Sequence, residues 1–176
     1  MHITEITEQQ VTERARAVLQ AELQLHKITF FHSRGNTRIV IELDKPADKY
    51  GSVNIRECEI YSRALRDALD ELEKSSGINL NYSLEVSSAG AERELNSIAD
   101  VNRFSELPLA VTYTAENGKV LSEVFKADRV EGETIEFSFA DCKQNRKKFP
   151  PRKLRELPKV LVAWNNIKKV RLHLDV

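Results

Sequence analysis

Two adjacent serines, Ser87 and Ser88, stand where an alternating stretch (Tyr82, Leu84, Val86) breaks into a turn that ends on Gly90. A serine nucleophile needs a positioned base and an oxyanion site, and no histidine lies near these serines in the sequence. A turn whose hydroxyls cap backbone donors needs only the serines and the glycine. The four histidines, His2, His26, His32 and His173, are scattered, and none stands at ligand spacing from another His or Cys. His26 and His32 can share a strand face, where surface or structural roles suit them best. Cys58 and Cys142 are too far apart for a disulfide framework and lack metal-type spacing. Phosphate-cradling glycine loops, zinc-helix signatures and nucleophile elbows are missing as well. The residue chemistry therefore points to binding rather than catalysis, with no cofactor or metal expected.

The binding chemistry is electrostatic. Residues 1–142 carry 16 Lys/Arg against 25 Asp/Glu, whereas residues 143–176 carry 11 against 2. Within the second stretch, Lys143, Arg146, Lys147, Lys148, Arg152, Lys153, Arg155 and Lys159 face Glu156 alone between Lys143 and Lys159, and Phe149 sits among them. Cations around an aromatic suit a phosphate backbone with an exposed base. The competing expectation is a tether neutralised by the chain's own acidic half. Pro150, Pro151 and Pro158 discourage regular structure, so residues 141–159 read as a mobile basic insertion. Glu123, Asp128, Glu131 and Glu133 place acidic groups on or beside two strands. Trp164 suits either a stacking platform or a core position.

The elements that must position these groups follow from periodicity. Residues 5–21 read as a helix with Val11, Ala15, Val18 and Leu19 at helical spacings. Leu23–Phe31 and Arg38–Leu43 form a hairpin across Ser33–Asn36. Asn54 and Glu57 spell a capping box, and Cys58, Tyr61, Leu65, Ala68 and Leu72 make one apolar stripe that ends at Gly77. A third strand follows. After a short helix at 98–104, five short strands read as a small barrel: 109–114, 120–130, 134–140, 160–164 and 170–174. The fold class is α+β: a helix-strand-strand-helix-strand domain over 1–90, then a small β-barrel over 91–176. The composition, 41% apolar and 31% charged, is globular. No apolar run is long enough to span a membrane, and the two cysteines suit a reducing cytoplasm.

The segment Leu84-Glu85-Val86-Ser87-Ser88-Ala89-Gly90-Ala91-Glu92-Arg93-Glu94-Leu95 resembles a motif of the RimP family of ribosome maturation factors. That family carries Leu-Glu-Val-Ser-Ser-Pro-Gly-Leu-Asp-Arg-Pro-Leu there. Cys58, Ser62 and Arg63 in the long helix, Arg103 and Phe104, and the closing Asn166–Leu172 agree as well. Ala89, Glu92 and Glu94 depart from the family's Pro, Asp and Pro, and the basic insertion is longer than the family's loop. The resemblance implies a KH-like first domain, an SH3-like or Sm-like β-barrel as the second, and a non-enzymatic assembly factor; the protein is expected to be cytoplasmic and monomeric. It would bind the immature small (30S) ribosomal subunit and contact small-subunit ribosomal protein number twelve through the barrel, where Glu123, Asp128, Glu131 and Glu133 are the candidates for contact with that basic protein. Ser87, Ser88, Gly90 and Arg93 would form the interdomain motif, with Arg93 bonded to one domain. Contact of the insertion with ribosomal RNA is expected from charge alone. A stand-alone Sm-like or KH-like RNA-binding protein is the alternative, and a hydrolase using Ser87 or Ser88 is a third reading.

Overall fold

The computed structural model describes residues 5–90 and 93–175, and the chain divides into two compact units, 1–90 and 91–176. The first unit runs α1 (Glu5–Ala17), β1 (Gln24–Ser33), β2 (Asn36–Asp44), α2 (Ile55–Ser76) and β3 (Tyr82–Ser88). Its sheet has the order β1-β2-β3: β1 pairs antiparallel with β2, and β2 pairs parallel with β3. A parallel pair needs a long crossover, and α2 supplies it.

Local chemistry fixes the ends of α2. The Asn54 side chain accepts from the Glu57 N–H at 2.8 Å, and Glu57 Oε2 accepts from the Asn54 N–H at 3.0 Å. Gly77 stops the helix at φ 67°, a left-handed conformation that needs no Cβ accommodation in glycine. The buried stripe of α2 is Tyr61, Leu65, Leu69 and Leu72. Leu69 takes the place expected of Ala68, because a 3.6-residue period drifts past a strict 3-4-3-4 count over a helix this long. Tyr61 Oη donates to the Ala15 carbonyl at 2.7 Å, so α1 is tied to α2 inside a core of Val11, Ile39, Ile41, Leu43 and Leu65. The first helix ends at Ala17 rather than at residue 21, and backbone bonds from Leu19 to Arg16 and from Leu23 to Gln20 turn the chain toward β1.

The second unit runs α3 (Ile98–Arg103), β4 (Leu109–Thr114), β5 (Val120–Glu131), β6 (Thr134–Phe139), α4 (Lys143–Lys148), α5 (Pro151–Glu156), β7 (Val160–Ala163), a 3-10 turn (Trp164–Asn166) and β8 (Ile167–Leu172). The sheet order is β7-β6-β5-β4-β8, antiparallel throughout. This order, with a 3-10 turn joining the two outermost strands, is SH3-like. The long β5 carries a register shift between Ala127 and Arg129, the kind of irregularity that bends a strand around a core. Phe125, Phe137, Leu109, Val111, Ile135 and Val170 fill that core, with Trp164 packed against it. The last strand starts at Ile167 instead of Val170, since the connection before it closes in three 3-10 residues and Ile167 pairs with Tyr113.

Residues 141–159 depart most from expectation, forming two short helices in place of a mobile loop. Pro151 occupies the first turn of α5, where a missing N–H costs nothing and a fixed φ assists. The segment is anchored by Cys142, Asn145 and Leu154, all buried. The polar surroundings had concealed those three inward positions.

Truncation of the fully buried Leu69 to alanine should lower the unfolding free energy by about 2–5 kcal/mol. Ala68→Ser should cost far less. Urea unfolding of both variants checks the assignment of the buried stripe.

Candidate functional site

The residues of the serine-glycine segment converge at one place. A groove of about 480 Å³ in the first unit is lined by Val53, Ile55, Cys58, Ser62, Ser87 and Ser88, among others. The first turns of α2 form one wall and the end of β3 the other. Ser88 Oγ accepts from the Val53 N–H at 3.1 Å and from the Gly90 N–H at 3.4 Å. The hydroxyl therefore serves as a backbone cap, and no histidine stands among the lining residues to act as a base. Ser87 points outward on the exposed side of the strand. Gly90 has φ 83°, so the turn needs glycine for its backbone conformation. Ala89, where the family motif has proline, donates its N–H to the Leu43 carbonyl at 2.8 Å and extends the β2–β3 ladder. Burial pushes the Cys58 thiol above its ordinary range, with Glu57 adding to the effect. Cys58 is thus a protonated, weakly nucleophilic wall of the groove at neutral pH.

Arg93 belongs to the second unit. It is 5% exposed, its guanidinium lies 5.1 Å from the centre of the Phe104 ring, and its carbonyl accepts from the Leu172 N–H. Residues 93–95 run antiparallel beside β8 through the bonds Leu172 to Arg93 and Leu95 to Val170. Packing of this kind makes Arg93 part of the second unit's framework.

The basic segment folds onto the acidic strand beside it. Lys148 Nζ lies 3.6 Å from Glu123, and Lys159 lies 3.6 Å from Asp128 and 3.1 Å from Glu136. Arg146 bonds Asp141 at 2.7 Å, which raises its pKa further above the ordinary guanidinium value. Arg152 faces Glu156 at 3.5 Å. Lys143, Lys147 and Lys153 are exposed and stand outside these ion pairs. Phe149 is half-buried: its ring meets Phe139 edge-on at 6.2 Å, and Lys153 Nζ sits 5.9 Å from its centre. The expected open aromatic is therefore docked on the sheet with only one side available.

The four acidic candidates separate in the same way. Glu123 and Asp128 are engaged by lysines of the chain itself. Glu131 pairs with Arg129, and Glu133 is exposed beside it, with its backbone carbonyl taken by the Trp164 N–H. His32 is structural: Nε2 lies 2.5 Å from Glu8 and Nδ1 lies 3.2 Å from Thr37 Oγ1, so β1 is pinned to α1. His26 is exposed. Sequence spacing concealed one grouping, since Cys142, His173 and Asp175 meet in the second unit.

Residues 15–92 match the family described as the RimP N-terminal domain, and residues 94–173 match one described as a domain of unknown function (DUF7912). Fold and groove thus define a class: a protein with a RimP-type α+β domain followed by a small five-stranded antiparallel domain. Similar proteins include the ribosome maturation factor RimP of Leptospira biflexa, 34% identical over 81% of this chain and 85% of that protein. The ribosome maturation factor RimP of Leptospira interrogans is 30% identical over 74% of this chain and 78% of its own length. That of Prochlorococcus marinus is 34% identical over 47% of this chain and 51% of its own. The chain belongs to the ribosome maturation factor RimP family. No helix among the described residues is long and apolar enough to cross a membrane.

Leu154 is the inward anchor of α5. Leu154→Ala should release residues 143–159 and raise the rate of tryptic cleavage there several-fold, while the core of the first unit stays resistant. Timed proteolysis with mass analysis of the fragments reads both effects.

Proposed function

We propose that the protein binds the immature small ribosomal subunit and aids its maturation as a binding factor rather than an enzyme. The observation that carries this reading is the likeness, across four-fifths of the chain, to proteins named ribosome maturation factor. It would act as a monomer in the cytoplasm, the compartment where its ribosomal partners are assembled.

Two partners divide the second unit between them. Ribosomal RNA is assigned to exposed cations of the segment that no carboxylate opposes among the described residues, Lys143, Lys147 and Lys153, with Arg155 a fourth of the same kind and Phe149 offering one face beside Lys153. Arg146, Lys148 and Arg152 are already opposed by carboxylates, so they contribute less to phosphate binding. Small-subunit ribosomal protein number twelve is basic and is assigned to the acidic end of the β5–β6 hairpin at Glu131 and Glu133. Glu123 and Asp128 are opposed by Lys148 and Lys159, and Glu131 by Arg129, so Glu133 is the least engaged of the four among the described residues. In the first unit, Ser88 lines the groove and caps the turn at Gly90, and Arg93 seats the connecting segment in the second unit.

Tagged protein should co-sediment with immature small subunits and leave mature ribosomes. Binding to free RNA without co-sedimentation would favour a stand-alone RNA-binding protein instead. Charge reversal at Glu131 and Glu133 should weaken binding to purified ribosomal protein number twelve, and unchanged affinity would remove that hairpin from the interface.

Each phosphate contact contributes about −0.7 to −0.9 to the log–log slope of affinity against salt. Changing Lys143, Lys147 and Lys153 together to Gln should therefore flatten the slope for a small-subunit RNA fragment by about 1 to 2.5 units. The Arg146→Gln, Lys148→Gln pair should flatten it less. Equal slopes for the parent and the triple variant would show that the segment does not touch RNA.

A further inference from the structure

We propose that Cys142, His173 and Asp175 form a binding site for a zinc-type divalent transition-metal ion, in the second unit where the chain leaving β8 meets the start of α4. A thiol sulfur, an imidazole nitrogen and a carboxylate oxygen, one from each residue, all lie within 4.8 Å of one another. Zinc bonds of about 2.0–2.3 Å place tetrahedral donors about 3.5 Å apart. Closure on an ion thus needs a shift of about 1 Å. The three burials are graded to allow that shift. Cys142 is fully buried and fixed, His173 is half-buried, and Asp175 is exposed.

The backbone around each donor is held independently of any ion. The Cys142 N–H donates to the Ala140 carbonyl at 3.0 Å, and the His173 N–H to the Pro108 carbonyl at 2.9 Å. Asn145, fully buried one turn into α4, donates from Nδ2 to the Val124 and Ala140 carbonyls at 2.9 and 2.8 Å. Asp175 Oδ1 accepts from the Lys143 N–H at 2.9 Å. That bond orients the carboxylate, as outer partners of metal-binding carboxylates commonly do.

The donor set selects the ion. Thiolate and imidazole favour zinc-like metals, while magnesium and calcium prefer all-oxygen shells. Thiolate and carboxylate together carry two negative charges, which one divalent cation balances. Binding replaces the Cys142 S–H bond by a sulfur–metal bond and releases the proton to solvent. Water would complete a four-coordinate shell. The same trio could be imagined as a thiol nucleophile with its base, but a sulfur with no exposed surface admits no substrate. An ion needs only a water-sized path beside the exposed carboxylate. Once bound, it would tie residue 175 to the first turn of the basic segment.

The test is cobalt(II) titration of chelator-stripped protein, followed by displacement with zinc. One equivalent of cobalt should produce a thiolate-to-metal charge-transfer band and the intense visible bands of tetrahedral coordination. Zinc should abolish both, and magnesium neither. Cys142→Ser should eliminate the charge-transfer band, and His173→Gln and Asp175→Asn should each weaken zinc binding by about tenfold or more. Cys58→Ser should leave every signal intact. If Cys142→Ser proves misfolded by circular dichroism, the two surface variants decide. Absence of a charge-transfer band in the parent overturns the site. So does a band lost with Cys58 rather than Cys142, or zinc affinity unchanged in both surface variants.

Discussion

Asn145 carries two N–H donors into the interior of the second unit, where one meets the Val124 carbonyl of β5 and the other the Ala140 carbonyl just past β6. Each carbonyl also accepts a backbone N–H, Val124 from Ala140 and Ala140 from Cys142, so the amide adds a second bond to each where the sheet gives way to the basic segment. The two buried N–H donors of Asn145 would cost about 1–3 kcal/mol each if left without acceptors, so this side chain fixes where α4 begins. Asn145 Oδ1 has no partner among the described residues, which makes the arrangement a net balance rather than a pure gain. From this one side chain follow the burial of Cys142, the direction of α4, the seat of Phe149 on Phe139 and the approach of Lys148 to Glu123.

The charge asymmetry of the chain takes on a different meaning in that setting. Read along the sequence, an acidic region precedes a basic one. In the fold, two lysines of the basic segment oppose carboxylates of β5 and β6: Lys148 meets Glu123, and Lys159 meets Asp128 and Glu136. These pairs are partly exposed, so each contributes little stability, of the order of 0–1 kcal/mol. Their effect is on selection: they set which cations and which carboxylates remain for other molecules. An anion competing for Lys148 or Lys159 would at the same time uncover Glu123 or Asp128.

Much of the architecture was legible because local signals and tertiary demands agree. The capping box at Asn54, the left-handed stop at Gly77 and the alternation of β2 and β3 each have one local cause and one structural outcome. Leu69 was missed because a short-range count cannot follow helical drift through six turns. The helices at 143–156 were missed for another reason. Three isolated inward residues among eleven charged and polar neighbours give no periodic pattern, and Pro151 reads as a breaker unless it is known to begin a helix. The meeting of Cys142 with His173 and Asp175 could not be read at all, since it depends on β8 closing against β4. Ser88 was readable as a cap from its turn, but its partner Val53 is supplied by a distant loop.

The alanine at position 89 changes the physical character of the segment that leaves the first unit. A proline there would restrain the chain by its ring, a covalent restraint present in folded and unfolded states alike. Alanine substitutes a hydrogen bond to Leu43, which exists only while β2 and β3 remain paired. The restraint has become conditional and reversible, and it carries an exchangeable proton that a proline would lack. The amide of Ala89 is accordingly a native reporter of fraying at the end of the sheet, observable by hydrogen exchange without any label or substitution.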